Sequence, residues 1–366
     1  MKSFSCNNSY EDYLKEYEER ILEKQGLSSP ASEREIICLA EEGNTVCCKH
    51  YADLIFYKKI LRKNYYRDAF KLYLKSAGIE VSEDGIWISR PDAYPLSYWV
   101  IGYYLVNYRR ETALAKCEKI DIIERMTLED RMLTALTLAS ACLDYIDSAG
   151  AVNLIGRILY EVAEDDKLYE RLRDDISDLL TGRKFEKSGI SVELLSSKRD
   201  FKEIAEGFFV KAAEEGYIYA CNSLAAREAE KIVKMSKNAG ENAGADAEGG
   251  AENDVADSIM NYICFLKLAA DRFEPYAANR LGLFYMTGEI SAAGEKVRFK
   301  EYMDRDLAKQ YFVKATHYPD NNSAWGYFNL MKYFYNDYQN DIELMNEHMD
   351  YIKELNPEVY YLAMDL

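Results

Sequence analysis

The sequence has little of what most enzymes and metal proteins need. Histidine occurs only at His50, His317 and His348, and none of the three has a second His or Cys at the short spacing of a metal site. There is no glycine-rich phosphate or dinucleotide loop, no G-x-S-x-G and no H-E-x-x-H. Acidic pairs such as Asp165-Asp166 are typical of solvated faces in so acidic a chain. We therefore predict no catalytic residue, no metal and no cofactor.

Paired cysteines and long apolar runs are also missing. The eight cysteines form no C-x-x-C spacing, and most have apolar neighbours at helical spacing, which favours reduced thiols in a core. No unbroken apolar stretch approaches the roughly 18 residues that cross a bilayer. The first residues are polar and lack the apolar segment of a secretory signal. We expect a soluble, cytoplasmic protein.

Positive charge is scarce relative to negative charge. With 46 Lys and Arg against 63 Asp and Glu, the formal net charge is −17, and no basic stripe interrupts the acidic background. Such a surface repels phosphates, so we predict no nucleic acid partner and no membrane partner. Only 6 prolines interrupt the chain, while 31 tyrosines are available for amphipathic helix faces, and this composition favours long helices.

Small and apolar residues recur at helical spacing along the chain. The clearest run is Ala269-Ala270-x-x-Phe273-x-x-x-Ala277-x-x-x-Leu281-Gly282-x-x-Tyr285-x-x-Gly288, whose spacing keeps these residues on one helical face. The same register is found at 39–55 and 212–225. A second pattern, Ala-x-x-x-aromatic-x-x-small-small, lies at 69–77, 205–213 and 308–316. Together they predict a helix A, a loop, a helix B and a turn into the next helix A.

The Ala-x-x-x-Leu-Gly-x-x-Tyr-x-x-Gly block at 277–288, joined to the preceding Ala-Ala pair, resembles the Sel-one-like repeat family of the tetratricopeptide-like superfamily. The resemblance implies an all-α fold, a right-handed α/α superhelix (solenoid) of helix-turn-helix repeats. It also implies a protein–protein interaction scaffold that binds a peptide or partner protein on its concave face. The oligomeric state does not follow from it.

Spacing between the repeats divides the chain. The Ala/Gly/Asn/Glu run after Asn238 has no apolar face and predicts a disordered loop, and 128–198 carries an amphipathic helix without a repeat signature. Ser32-x-x-Glu35 and Asp200-x-x-Glu203 resemble capping boxes that open B helices. The predicted regions are an N-terminal capping helix at 1–26, a first repeat array at 27–127, a degenerate helical middle region at 128–198, a second array at 199–337 with a disordered loop at 238–256, and a C-terminal capping helix at 338–366.

In related superhelices the inner wall is formed by helix A residues that flank the structural Leu-Gly and Tyr positions. Tyrosine offers a large contact area at low entropy cost, and asparagine pairs with backbone amides, so both suit an extended peptide. The alternative is that these side chains only pack against the next helix. The partner-binding residues predicted in this way are Lys49, Asp53, Tyr57, Tyr219, Asn222, Tyr276, Asn279, Trp325, Asn329 and Tyr333.

Two other functions remain open at this point. The net charge of −17 suits an immunity or antagonist protein that covers a basic toxin, and such a complex would weaken with salt. An enzyme with its site in the 128–200 region is the third possibility, although no motif supports it.

Overall fold

Pairs of packed helices dominate the structure, a computed structural model. It describes residues 15, 18–23, 27–28, 30, 32–56, 60, 64–81, 87–89, 93–115, 119–186, 188–241, 250–317, 322–338 and 342–365. The chain divides into two units, Met1–Tyr217 and Ile218–Leu366, called unit 1 and unit 2 below. Within the described residues, no helix is both long and apolar enough to span a membrane.

Unit 1 consists of helices and two short hairpins. Two strand pairs interrupt the helices, β1 (Ile79–Val81) with β2 (Trp87–Ser89) and β3 (Lys184–Phe185) with β4 (Ile190–Ser191), and both pairs are antiparallel. Its helices are α1 (Glu33–Glu42), α2 (Thr45–Phe56), α3 (Tyr65–Ser76), α4 (Leu96–Ala115), α5 (Asp121–Glu124), α6 (Leu128–Tyr145), α7 (Ala149–Glu164), α8 (Asp166–Leu180) and α9 (Lys198–Glu214).

Three helix pairs build unit 1: α2 with α3, α4 with α6, and α7 with α9. Small residues permit the close approach that the repeat pattern predicts. A Cβ added at Gly156 on α7 would lie 3.1 Å from the Ala205 carbonyl of α9, and one at Gly102 on α4 would lie 3.1 Å from the Ala135 carbonyl of α6. The amphipathic helix expected in the middle region is α8, which buries Leu172 and Ile176.

The helix starts in unit 1 test the predicted capping boxes. Ser32 caps α1 and accepts from the Glu35 amide at 3.3 Å, as predicted. The box at α9 begins three residues earlier than predicted: Ser197 accepts from the Asp200 amide, and Asp200 accepts from the Ser197 amide at 2.8 Å. The prediction that Asp200 is the cap is wrong because Ser197 completes the same motif and starts the helix first.

The N-terminal segment described at 18–23 is helical and docks onto unit 1. Leu22 is buried, and the Glu18 carboxylate bonds His50 Nε2 at 2.9 Å and also the Tyr94 hydroxyl. Burial would raise the pKa of Glu18, but the interactions with His50 and the hydrogen bond from Tyr94 outweigh it, and the pKa is lowered. The remaining part of the predicted capping helix 1–26 lies outside the described residues, apart from Lys15.

Unit 2 has helices α10 (Ile218–Glu241), α11 (Gly250–Ala270), α12 (Pro275–Thr287), α13 (Arg305–Ala315), α14 (Ser323–Tyr338), α15 (Ile342–Leu355) and α16 (Pro357–Ala363). Between α12 and α13 lie the antiparallel strands β5 (Glu289–Ala292) and β6 (Glu295–Arg298), followed by a 3-10 turn, Lys300–Tyr302. Helix α10 pairs with α11, α12 with α13, and α14 with α15.

Helix length explains where the β5–β6 hairpin sits. Helix α10 has 24 residues and α12 has 13, so α10 extends roughly 16 Å further at 1.5 Å per residue. The hairpin packs along α10 in place of helix. Ile290 is fully buried, and Lys237 of α10 pairs with Glu295. The hairpin therefore packs against the part of the long helix α10 that the shorter helix α12 does not reach.

The predicted all-α repeat architecture is confirmed in both units, since helix pairs account for the packing, and the three hairpins are additions that periodicity did not predict. Some boundaries differ. The predicted division at 127/128 separates α4 from its partner α6. Helix α10 reaches Glu241 and α11 begins at Gly250, so both enter the loop predicted at 238–256, while 242–249 lie outside the described residues. The predicted C-terminal helix at 338–366 is two helices, α15 and α16.

Candidate partner-binding face

The N-terminal halves of the A helices of unit 2, α10, α12 and α14, are joined by buried and half-buried polar side chains. Glu274 is 4% exposed and caps α12, accepting from the Ala277 amide at 2.7 Å. The same carboxylate accepts from Asn222 Nδ2 of α10 at 3.0 Å. Pro275 follows at the first helical position, where its missing N–H costs nothing. Glu274 thus caps one A helix and ties it to the preceding one.

A hydrogen bond between two side-chain amides joins the next pair of A helices. Asn329 Nδ2 of α14 donates to Asn279 Oδ1 of α12 at 2.8 Å, and both side chains are buried. Buried polar groups of this kind are retained when they are hydrogen-bonded. The predicted residues Asn222, Asn279 and Asn329 therefore lie between helices and connect them.

The same three helices, α10, α12 and α14, each carry one exposed ring near the N-terminus. We call these three rings, Tyr219, Tyr276 and Trp325, the aromatic row. They are 53%, 41% and 37% exposed, unusual values for such large side chains. Each ring precedes its Asn by three or four residues, a spacing that places ring and amide on the same helix face. Because the amides connect adjacent helices, the rings share one surface of unit 2.

A half-buried cation, Arg280, lies beside one ring of the row, Tyr276. Arg280 donates to Ser291 Oγ of the hairpin at 3.4 Å and lies near the phenols of Tyr262 and Tyr276. Burial alone would lower the pKa of Arg280, but the two phenols outweigh it and the pKa is raised, so the guanidinium stays charged. Burial raises the pKa of Tyr262, although the nearby Arg280 opposes this effect.

The other predicted site residues have partners within the protein or lie outside the described part. In the first repeat, Lys49 pairs with Asp53 at 2.7 Å, and the Tyr73 hydroxyl donates to Asp53 at 2.6 Å. Tyr57 lies outside the described residues. Tyr333 is half-buried, and its ring stacks on Phe312 at 6.1 Å. That these residues bind a partner stays a prediction.

One exposed aromatic near the row was not predicted. Phe273 is 40% exposed, and its ring stacks on His317 at a centroid distance of 4.5 Å. Its φ of 60° lies in the left-handed region, the conformation that Gly43 and Gly216 adopt at the equivalent positions of other repeats. The signal was in the repeat alignment, because Phe273 takes the glycine position between α11 and α12.

The 128–200 region contains an open cavity lined by Val106, Leu128, Met132, Leu168 and four carboxylates. Its acidic groups are engaged within the protein. Glu161 pairs with Arg157 at 3.2 Å, and Asp165 caps α8 by accepting from the Lys167 amide at 2.8 Å. Glu164 and Asp166 pair with lysines of α9. Nowhere in the described part do three His, Cys, Asp or Glu side chains gather as a metal site would require.

The helix pairs of both units define a helical-repeat protein. No protein-family model and no curated protein matches the chain. Among solved structures it is similar to c5321, a protective antigen of uropathogenic Escherichia coli displaying an SLR fold, at 15% identity and a TM-score of 0.22, covering 89% of this chain and 64% of that one. It is also similar to a Sel1 repeat protein from Oxalobacter formigenes, at 13% identity and a TM-score of 0.30, covering 91% and 90%.

Both solved proteins are described as Sel1-type repeat proteins, the family that the motifs of this chain resemble. The chain spans about two thirds of the length of the first, 64%. The TM-scores of 0.22 and 0.30 are low. The helix pairs within each unit, rather than these similarities, therefore define the fold.

Proposed function

We propose that this chain is a protein-interaction scaffold and that the aromatic row of unit 2 holds an extended segment of a partner protein. One observation carries the proposal: Tyr219, Tyr276 and Trp325 are exposed on the first turns of three consecutive A helices. Tyr and Trp are enriched at binding hot spots because each buries a large area with few rotatable bonds.

The support beneath the row strengthens this interpretation. Rings that serve only packing would be covered by the next helix, as Tyr262 is on α11. The three rings of the row instead remain exposed, while the side chains that connect the helices, Asn279 and Asn329, lie below them. A partner would therefore meet rings on a rigid base rather than on loops.

The proposal is tested by comparing the full chain with a Tyr219→Ala, Tyr276→Ala, Trp325→Ala variant in affinity capture, followed by a titration with each purified partner. At about 1–2 kcal/mol for each ring, the variant should bind at least about 100-fold more weakly. Tyr361→Ala is the matched control, because Tyr361 is 65% exposed on α16 and is not part of the row.

A partner that binds parent and triple variant equally would refute the row as the binding surface. Repeating the titration at low and physiological salt measures the contribution of the net charge of −17. Strong salt dependence with no loss in the triple variant would favour the antagonist of a basic protein instead.

A further inference from the structure

The β5–β6 hairpin offers a second interaction surface, independent of the aromatic row. Its two-residue turn, Ala293 and Gly294, has φ of 51° and 80°, typical of a type I′ turn. Such a turn makes Ala292 and Glu295 a hydrogen-bonded pair. Hydrogen-bonded and non-hydrogen-bonded pairs then alternate along the two strands as far as Gly288, whose carbonyl accepts from the Phe299 amide at 2.8 Å. The backbone groups of the residues in between point away from the hairpin.

The outward edge of β5 is already occupied. The Glu289 amide donates to Thr287 Oγ1 at 3.2 Å, and Arg280 donates to the Ser291 carbonyl at 3.4 Å. The outward groups of β6 belong to Lys296 and Arg298. Within the described residues no hydrogen bond involves their backbone N–H or C=O groups, so β6 is the open edge.

The open edge is held firmly and faces solvent. One face of the hairpin packs on α10 through Ile290, and the Lys237–Glu295 ion pair adds to that contact. The other face carries Lys296 and Arg298, both exposed. Unpaired strand edges of this kind accept an added strand from another chain.

The charges on β6 decide which strand fits. In an antiparallel addition only the residues with outward backbone groups form hydrogen-bonded pairs, here Lys296 and Arg298. A second copy could therefore place Lys296 opposite Lys296, Lys296 opposite Arg298, or Arg298 opposite Arg298. Every such register sets two cations face to face, which is unfavourable.

On the face that carries Lys296 and Arg298, the Glu289 carboxylate lies 3.5 Å from the Lys296 ammonium, and Arg298 donates through Nε to the Thr287 carbonyl at 2.9 Å. The side chains of Lys296 and Arg298 therefore give this face two cations against one anion. We propose that β6 binds an extended acidic segment of a partner protein, with carboxylates at alternate positions, as a third strand of the hairpin. Backbone bonds supply the docking, and the carboxylates opposite Lys296 and Arg298 supply the selectivity.

The experiment uses the full chain and a fluorescent capped peptide, Thr-Glu-Val-Asp-Val-Thr, in an anisotropy titration. Its control peptide, Thr-Glu-Asp-Val-Val-Thr, has the same composition but puts the two carboxylates on opposite faces of a strand. The alternating peptide should bind about tenfold more tightly. The charge-swapped K296E/R298E variant should reject it and prefer the peptide with Lys in place of both acids.

Lys296→Pro, compared with Lys296→Ala, adds a test of the backbone, since both remove the ammonium but only proline removes the outward N–H, and proline is tolerated at strand edges. It should abolish binding of the alternating peptide, with the helical circular dichroism of the parent retained. The triple variant of the aromatic row should bind this peptide as the parent does, so the two proposals fail separately. Equal binding of both peptides, no binding at millimolar peptide, or a swapped variant with unchanged preference would overturn the inference.

Discussion

Replacing Glu215 by glutamine should stabilise unit 1 at pH 8 and change little at pH 5. Glu215 follows the last turn of α9, and Lys211 lies 2.9 Å from its carboxylate. Burial raises the pKa of Glu215 from 4.5 to about 7, because the attraction of Lys211 only partly offsets desolvation and nearby Asp147 adds repulsion. The carboxylate also stands at a helix C-terminus, where negative charge is unfavourable.

The magnitude follows from linkage between protonation and folding. A folded pKa of about 7 against 4.5 in the unfolded chain is a difference of about 2.5, or about 3 kcal/mol at 1.36 kcal/mol per pKa unit. The folded state keeps the proton between these values and the unfolded state does not, so stability falls as the pH rises through this window. Glutamine mimics the protonated form, and the variant should gain up to about 3 kcal/mol at pH 8.

Urea unfolding at a series of pH values between 5 and 8 measures this directly. In a Trp325→Phe background, the remaining Trp87 and Trp99 report unit 1 by fluorescence. Glu193→Gln, at an exposed position of the same unit, is the control and should follow the parent at every pH. A Glu215→Gln variant that is destabilised equally at pH 5 and pH 8 would refute the reasoning, since it would show that the ion pair outweighs desolvation.

Three further changes test the packing and the turns. Gly282→Ala should destabilise the protein by about 1–3 kcal/mol, because the new Cβ would lie 2.5 Å from the Phe312 ring; calorimetry should show a lower Tm, and an unchanged Tm would contradict the close approach. Ala293→Asn should add up to about 1 kcal/mol in urea unfolding, because asparagine tolerates the left-handed φ of 51° in the hairpin turn, whereas a loss would argue against the type I′ turn. Ser197→Ala should cost about 1 kcal/mol of unfolding free energy through loss of the α9 cap, and Ser197→Thr should largely restore it.

Helix period and small-residue spacing were enough to predict the fold class. They place Ala277, Leu281 and Gly282 on one buried face, which is where the structure has them. The pairing of distant helices was less accessible, because α4 and α6 are separated by a 12-residue connection that contains its own short helix, α5. No local pattern identifies α6 as the partner of α4, since that choice depends on packing across the core.

The candidate site was predictable in part for the same reason. Offsets along helix A identified Tyr219, Tyr276 and Trp325, whose exposure follows from their position on the helix. Sequence alone could not separate these rings from the amides of Asn279 and Asn329, which point between helices and bond each other. The open edge of β6 escaped prediction altogether, because a four-residue strand with three charged residues, Glu-Lys-Val-Arg, carries no apolar periodicity.

The bonds from Asn222 to Glu274 and from Asn279 to Asn329 bear on the kinetics of recognition. They hold the N-terminal halves of three helices at fixed separations before any partner arrives, so the distances between the rings are set in the free protein. A partner that matches this spacing loses little conformational entropy on binding and has no rearrangement to wait for. Differences in affinity among partners should accordingly appear as differences in residence time, while association rates stay similar.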